Sequence, residues 1–91
     1  MNAVRRKALR GTIARLKALQ AEIEAVKDQI EEIRDAEEEV LKNHHENLQG
    51  SERYEAASET VDSIYSALDA IDEAITAIGD EAISNIEDAI Q

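Results

Sequence analysis

From Leu9 onward the apolar residues recur at alternating intervals of three and four: Leu9, Leu16, Ile23 and Ile30 hold one heptad position, and Thr12, Leu19, Val26, Ile33 and Val40 the other. This alternation keeps one stripe of a helix turned toward a helical partner and conflicts with the period of two that a strand needs. The pattern returns in the second half as Tyr54, Ala57, Val61, Ile64, Leu68, Ile71, Ile75, Ile78 and Ala82. Proline is absent and only three glycines occur in 91 residues, so both stretches are almost free of helix breakers. The fold class is therefore all-α.

Stop and start signals separate the two seams. Gly50 suits the left-handed residue that follows a helix, Ser51 suits the cap of the next one, and Glu52 and Glu55 fall in a first turn, where the helix dipole favours negative charge. The spacing predicts a helix over about 3–46, a turn over about 47–51 and a second helix over about 52–90, in a single domain spanning 1–91. So short a connection makes a long antiparallel two-helix hairpin of coiled-coil type. Folding about Gly50 and Ser51 pairs Ile23 with Ile78, Val26 with Ile75, Ile30 with Ile71, Ile33 with Leu68 and Val40 with Val61. Past Ala82 the register slips to Ile86 and Ile90, with Ile83 alongside, as at a coiled-coil stutter; Gly79 and Asp80 stand at the slip, and a continuous helix is expected through it.

Two helices without a third layer bury a seam and leave much of it half covered, so self-association is expected. Ala67, Ala70, Ala74 and Ala77 run beside the second seam, and small residues there would let a second hairpin approach closely enough to complete a four-helix bundle. The partner expected first is a second copy, as a homodimer.

Charge is distributed very unevenly. The first twenty residues carry six bases (Arg5, Arg6, Lys7, Arg10, Arg15, Lys17) and no acid, while residues 72–91 carry six acids and no base. In a hairpin these ends compensate, and the net charge of −11 falls on residues 21–70, with fifteen acids against Lys27, Arg34, Lys42 and Arg53. The surface expected to meet a partner is Glu24, Asp28, Glu31, Glu32, Asp35, Glu38, Glu39, Glu52, Glu55, Glu59 and Asp62. Carboxylates arrayed in this way can occupy a groove on a basic protein that otherwise receives phosphates. The plainer reading is a solvated face that keeps a coiled coil soluble.

Chemistry has little to work with. There is no cysteine, no glycine-rich phosphate loop and no nucleophile beside a base, so the chain reads as a non-enzyme without cofactor. His44, His45 and Glu46 are adjacent, and neighbours on a helix point about 100° apart, which is unsuited to closing on one ion. Leu41 and Lys42 stand where a di-iron bundle would place its Glu, so no metal site is expected. Glu37 and His44 fall at seam positions and turn that seam polar toward the bend, which sets register or tolerates water at a bundle end. The start MNAVRRKALRG resembles the basic region of a leucine-zipper DNA-binding protein, with Asn2 and Arg10 at a spacing such regions use. The intervening alanines are replaced by Arg5 and Arg6 and the remaining chain is acidic, so DNA binding through this end stands as the remote alternative. No run of eighteen apolar residues or signal-peptide pattern occurs, and a soluble protein of the cytoplasm, without membrane or nucleic-acid partners, is expected.

The string ENLQGSERYE at 46–55, the acidic run DAEEEV before it, the basic start MNAVRRKALR and ISNIEDAI at 83–90 together resemble a group of small helical proteins of bacteriophages and prophages. In that group a basic start, an acidic first helix, an NLQ-x-SER-x-E turn and a second helix of Ile/Leu, Ala and Asp/Glu recur. NHHE stands here where others have a proline-containing Asn-Leu-Pro-Glu. The resemblance implies origin in a mobile element and supplies no activity. The function expected is that of an accessory protein that binds a basic host protein, such as a nucleic-acid-binding or defence factor, with its acidic half; the alternative is a coiled-coil scaffold or assembly protein.

Overall fold

The computed structural model describes residues 1–43 and 52–91. The described residues are helical almost throughout: α1 (Ala3–Asn43), α2 (Glu52–Thr76), a π-helical segment (Ala77–Ile83) and α3 (Ser84–Ala89). The expected turn at 47–51, the cap Ser51 and the His44, His45 and Glu46 cluster lie outside the described residues.

Local chemistry explains where α1 starts. The Arg5 backbone N–H donates to Asn2 Oδ1 at 2.8 Å and the Arg6 N–H to the Asn2 carbonyl at 3.1 Å, which makes Asn2 the N-cap. Such a cap is worth about 1 kcal/mol. Asn2 therefore closes the N-terminal end of α1.

The chain divides into two compact units, a terminal one (Met1–Ala25 with Ile71–Gln91) and a central one (Val26–Ala70). In the terminal unit Ile13 and Ile83 are buried; in the central unit Val61 and Leu68 are. The seam of α2 lies where the heptads place it, since Tyr54, Ala57, Val61, Ile64 and Leu68 are all buried or half-buried.

The seam of α1 keeps only one of its two expected heptad positions. Leu9, Leu16, Ile23 and Ile30 are half-buried, but Leu19, Val26 and Ile33 are each 51 % exposed and Val40 is 52 % exposed. The second position is held by the residues one place further on: Ile13, Gln20, Lys27, Arg34 and Leu41. Long amphipathic side chains can lie along an apolar groove with their polar ends free, which lets Gln20, Lys27 and Arg34 take positions that hydropathy alone assigns to Leu19, Val26 and Ile33. Polar contacts accompany the change: Gln20 Nε2 donates to the Ile75 carbonyl at 3.3 Å in the terminal unit, and Arg34 stacks on Tyr65 in the central one. The expected layers containing Val26, Ile33 and Val40 are corrected accordingly.

The slip after Ile78 becomes the π-helical segment. Inward positions run Ile71, Ile75, Ile78, Ile83, Ile86 and Ile90, so one interval is five residues long, and Ala82, expected in the seam, is exposed. A π turn closes i→i+5 bonds and so returns residue i+5, instead of i+4, to the same face. The helix does not break, because Thr76 and Ser84 on either side keep α-helical dihedrals. Glycine at 79 makes room: a Cβ there would stand 2.6 Å from Gln20 Nε2. Gln20 thus crosses the seam, fills the notch at Gly79 and donates to a carbonyl next to the disturbed ladder.

Candidate functional site

The charged side of the central unit is organised by Arg34. Its Nε and Nη2 donate to Asp35 Oδ1 at 3.0 and 2.9 Å, Nη2 stands 3.9 Å from Glu31 and Nε 3.9 Å from Glu38. Lys27 reaches the other oxygen of Glu31 at 3.6 Å. These are i,i+3 and i,i+4 partners on one helix, apart from the adjacent Asp35, and each such exposed pair adds little to stability by itself because solvent screens it. The guanidinium also lies 5.0 Å from the centre of the Tyr65 ring, where the electron-rich face attracts a cation. The Tyr65 hydroxyl donates to the Glu38 carboxylate and ties α2 to the same group.

Electrostatics follow from this geometry. The hydrogen bond to Glu38 holds Tyr65 protonated and raises its pKa above the ordinary 10.0, with partial desolvation and the Glu38 charge adding to the effect. The hydrogen bonds to Asp35 likewise raise Arg34 above its ordinary value, against a smaller opposing effect of desolvation.

Two open grooves flank the helices of the central unit. One, of about 550 Å³, is lined by Glu38, Leu41, Lys42, Tyr54, Ser58, Val61, Asp62 and Tyr65. The other, of about 580 Å³, is lined by Ile30, Ala56, Glu59, Thr60, Ser63, Ile64 and Ala67. The first is lined by three charged residues and both tyrosines; the second carries one charged residue.

Of the eleven carboxylates expected to meet a partner, Glu38 and Asp62 line the first groove and Glu59 lines the second. Glu31, Asp35 and Glu38 are engaged by Lys27, Arg34 and Tyr65, and Glu39 accepts from Asn43 Nδ2 at 3.4 Å. Among the described residues no ion pair is made by Glu24, Asp28, Glu32, Glu52, Glu55, Glu59 or Asp62. Ala67, Ala70, Ala74 and Ala77 are all exposed. Heptad counting did not reveal the role of Arg34 and Tyr65; the signal available was an Arg with carboxylates at i−3, i+1 and i+4.

Among the described residues no three carboxylates or imidazoles are grouped to hold a metal ion, and no helix is long and apolar enough to cross a membrane. No family model matches the chain, and neither a curated protein nor a solved structure does.

Proposed function

We propose that the protein is a non-catalytic helical hairpin that binds a basic partner protein through carboxylates of residues 21–70, in the cytoplasm of a host cell. The hairpin reading is supported by contacts within each unit that join the first half of the chain to the second, position 20 to 75 and position 38 to 65. The observation that carries the partner class is the excess of fifteen acids over four bases in this stretch, with Glu24, Asp28 and Glu32 of α1 turned to solvent. A surface of this kind attracts a phosphate-binding groove at long range and loses that attraction as salt is added. A phage-type accessory protein that blocks a nucleic-acid-binding or defence factor of the host fits the charge and the resemblance of the turn.

A scaffold is the second reading, favoured by the way Arg34 and Lys27 engage Glu31, Asp35 and Glu38 within α1 itself. The two are separated by capture of partners from host lysate, followed by binding measurements on the retained protein over a salt series. Under the first reading, Glu24→Lys with Asp28→Lys and Glu32→Lys weakens binding and flattens its salt dependence. Unchanged affinity and slope in that triple variant would leave only the scaffold.

A further inference from the structure

Steps of three and four mark a second stripe on α1, beside its seam. Lys7, Arg10 and Lys17 stand in the first half of this stripe, and Glu24, Asp28, Glu31 and Asp35 in the second. Ala14 and Ala21 fill the steps between the bases and the acids. Because α1 runs unbroken from Ala3 to Asn43, such steps keep these positions on one face of the helix. Glu31 is half-buried and the others are exposed. The charge on this face therefore changes sign once, between Lys17 and Glu24.

The cationic end is expected to be answered by the acids of residues 72–91. Those acids belong to the same unit as Lys7, Arg10 and Lys17, yet among the described residues none of the three bases makes an ion pair. Glu24 and Asp28 make none either, while Glu31 and Asp35 share Lys27 and Arg34 within α1. Both signs are thus presented outward along one helix face.

We infer that this face docks a second copy of the chain, laid antiparallel along it. A two-fold interface requires a surface complementary to itself, and a stripe that reverses sign at its middle meets that requirement. With the axis beside Ala21, Lys17 of each copy falls opposite Glu24 of the other, Arg10 opposite Glu31 with Asp28 one turn away, and Lys7 opposite Asp35. A parallel copy sets like charges against like and is repelled. A nucleic acid would match only the first half of the face and a basic protein only the second, whereas a second copy matches both. Exposed ion pairs are individually weak, each changing affinity by roughly twofold, so the contact is a reversible one in which charge sets orientation and register.

The inference uses α1 alone and does not depend on the basic partner proposed above. Sedimentation equilibrium of the purified full chain tests it against two variants. Arg10→Glu with Lys17→Glu makes the face mainly acidic, and Glu24→Lys with Asp28→Lys makes its first part and middle basic. The wild-type chain is expected to associate. Each variant alone loses about a hundredfold in affinity, because four contacts turn from attraction to repulsion. An equal mixture of the two variants recovers association as a heterodimer. Circular dichroism stays helical in both, since all four sites are exposed. The Glu24→Lys, Asp28→Lys chain also separates local from bulk charge: it is less negative overall, so bulk repulsion alone would tighten its self-association, and the docking face demands the reverse. A wild-type chain that stays monomeric up to about 1 mM, the weak end of specific association, would overturn the inference. So would either variant associating by itself as tightly as the wild type, or a mixture no more associated than its components.

Discussion

Replacing Gly79 by alanine should not deliver the gain that such a change usually brings to a helix. Alanine in place of a mid-helix glycine is worth about 1 kcal/mol. At Gly11, where nothing lies within 4 Å of the added Cβ, Gly11→Ala should show that gain in full. At Gly79 the new Cβ would stand 2.6 Å from Gln20 Nε2, and the amide must withdraw. Its end is flexible, so steric cost is small, but withdrawal breaks the 3.3 Å hydrogen bond to the Ile75 carbonyl. A lost hydrogen bond costs about 1 kcal/mol, and about 1–3 kcal/mol where the carbonyl is left without a donor. Gly79→Ala should therefore lie between neutral and about 2 kcal/mol destabilising, some 1–3 kcal/mol below Gly11→Ala. In a Gln20→Ala background the notch is open, and Gly79→Ala should regain the propensity term. A double-mutant cycle from urea unfolding at one fixed chain concentration gives the coupling directly. Equal stabilisation by Gly79→Ala and Gly11→Ala, with no coupling to Gln20, would refute the account of the π-helical segment.

Leu68→Ala should cost about 2–4 kcal/mol, since Leu68 is 4 % exposed, whereas Ile33→Ala should cost under about 1 kcal/mol in the monomer, although the heptads place the two in one layer; equal costs would restore that layer. Tyr65 should titrate above its ordinary 10.0 because Glu38 holds its proton. With the folded pKa raised above the unfolded one, this contribution to stability is complete below about pH 10 and is lost as pH rises through the folded value. Tyrosinate absorbance in a Tyr54→Phe chain measures the midpoint, and Glu38→Ala should lower it. Arg6 Nε is buried without an acceptor, so Arg6→Met, which keeps the stem, should be neutral or stabilising by about 1 kcal/mol on denaturation. Asn2→Ala should cost about 1 kcal/mol and fray the first turn, as seen in amide exchange at Arg5 and Arg6.

Much of the helical organisation is legible from residue type and period alone. A seven-residue apolar repeat without proline leaves no strand or irregular alternative, and the α2 seam through Tyr54, Val61, Ile64 and Leu68 sits where counting puts it. A slip near the end of the second seam is legible too, although counting puts it past Ala82 whereas packing puts it between Ile78 and Ile83 and leaves Ala82 exposed. The acidity of residues 21–70 is a matter of composition and needs no structure.

Packing decided the rest. Hydropathy ranks Leu19, Val26 and Ile33 above Gln20, Lys27 and Arg34, yet the second set faces inward, because their aliphatic stems can line a groove while Gln20 reaches Ile75 and Arg34 reaches Tyr65. Such contacts join residues far apart in the chain, and no local period encodes them. The same rotation of α1 engages Glu38 and leaves an apolar ridge outside. A sequence can state how many faces of a helix are apolar; which of them is buried is a difference of about one residue in rotation, settled by a few long-range hydrogen bonds and one glycine notch.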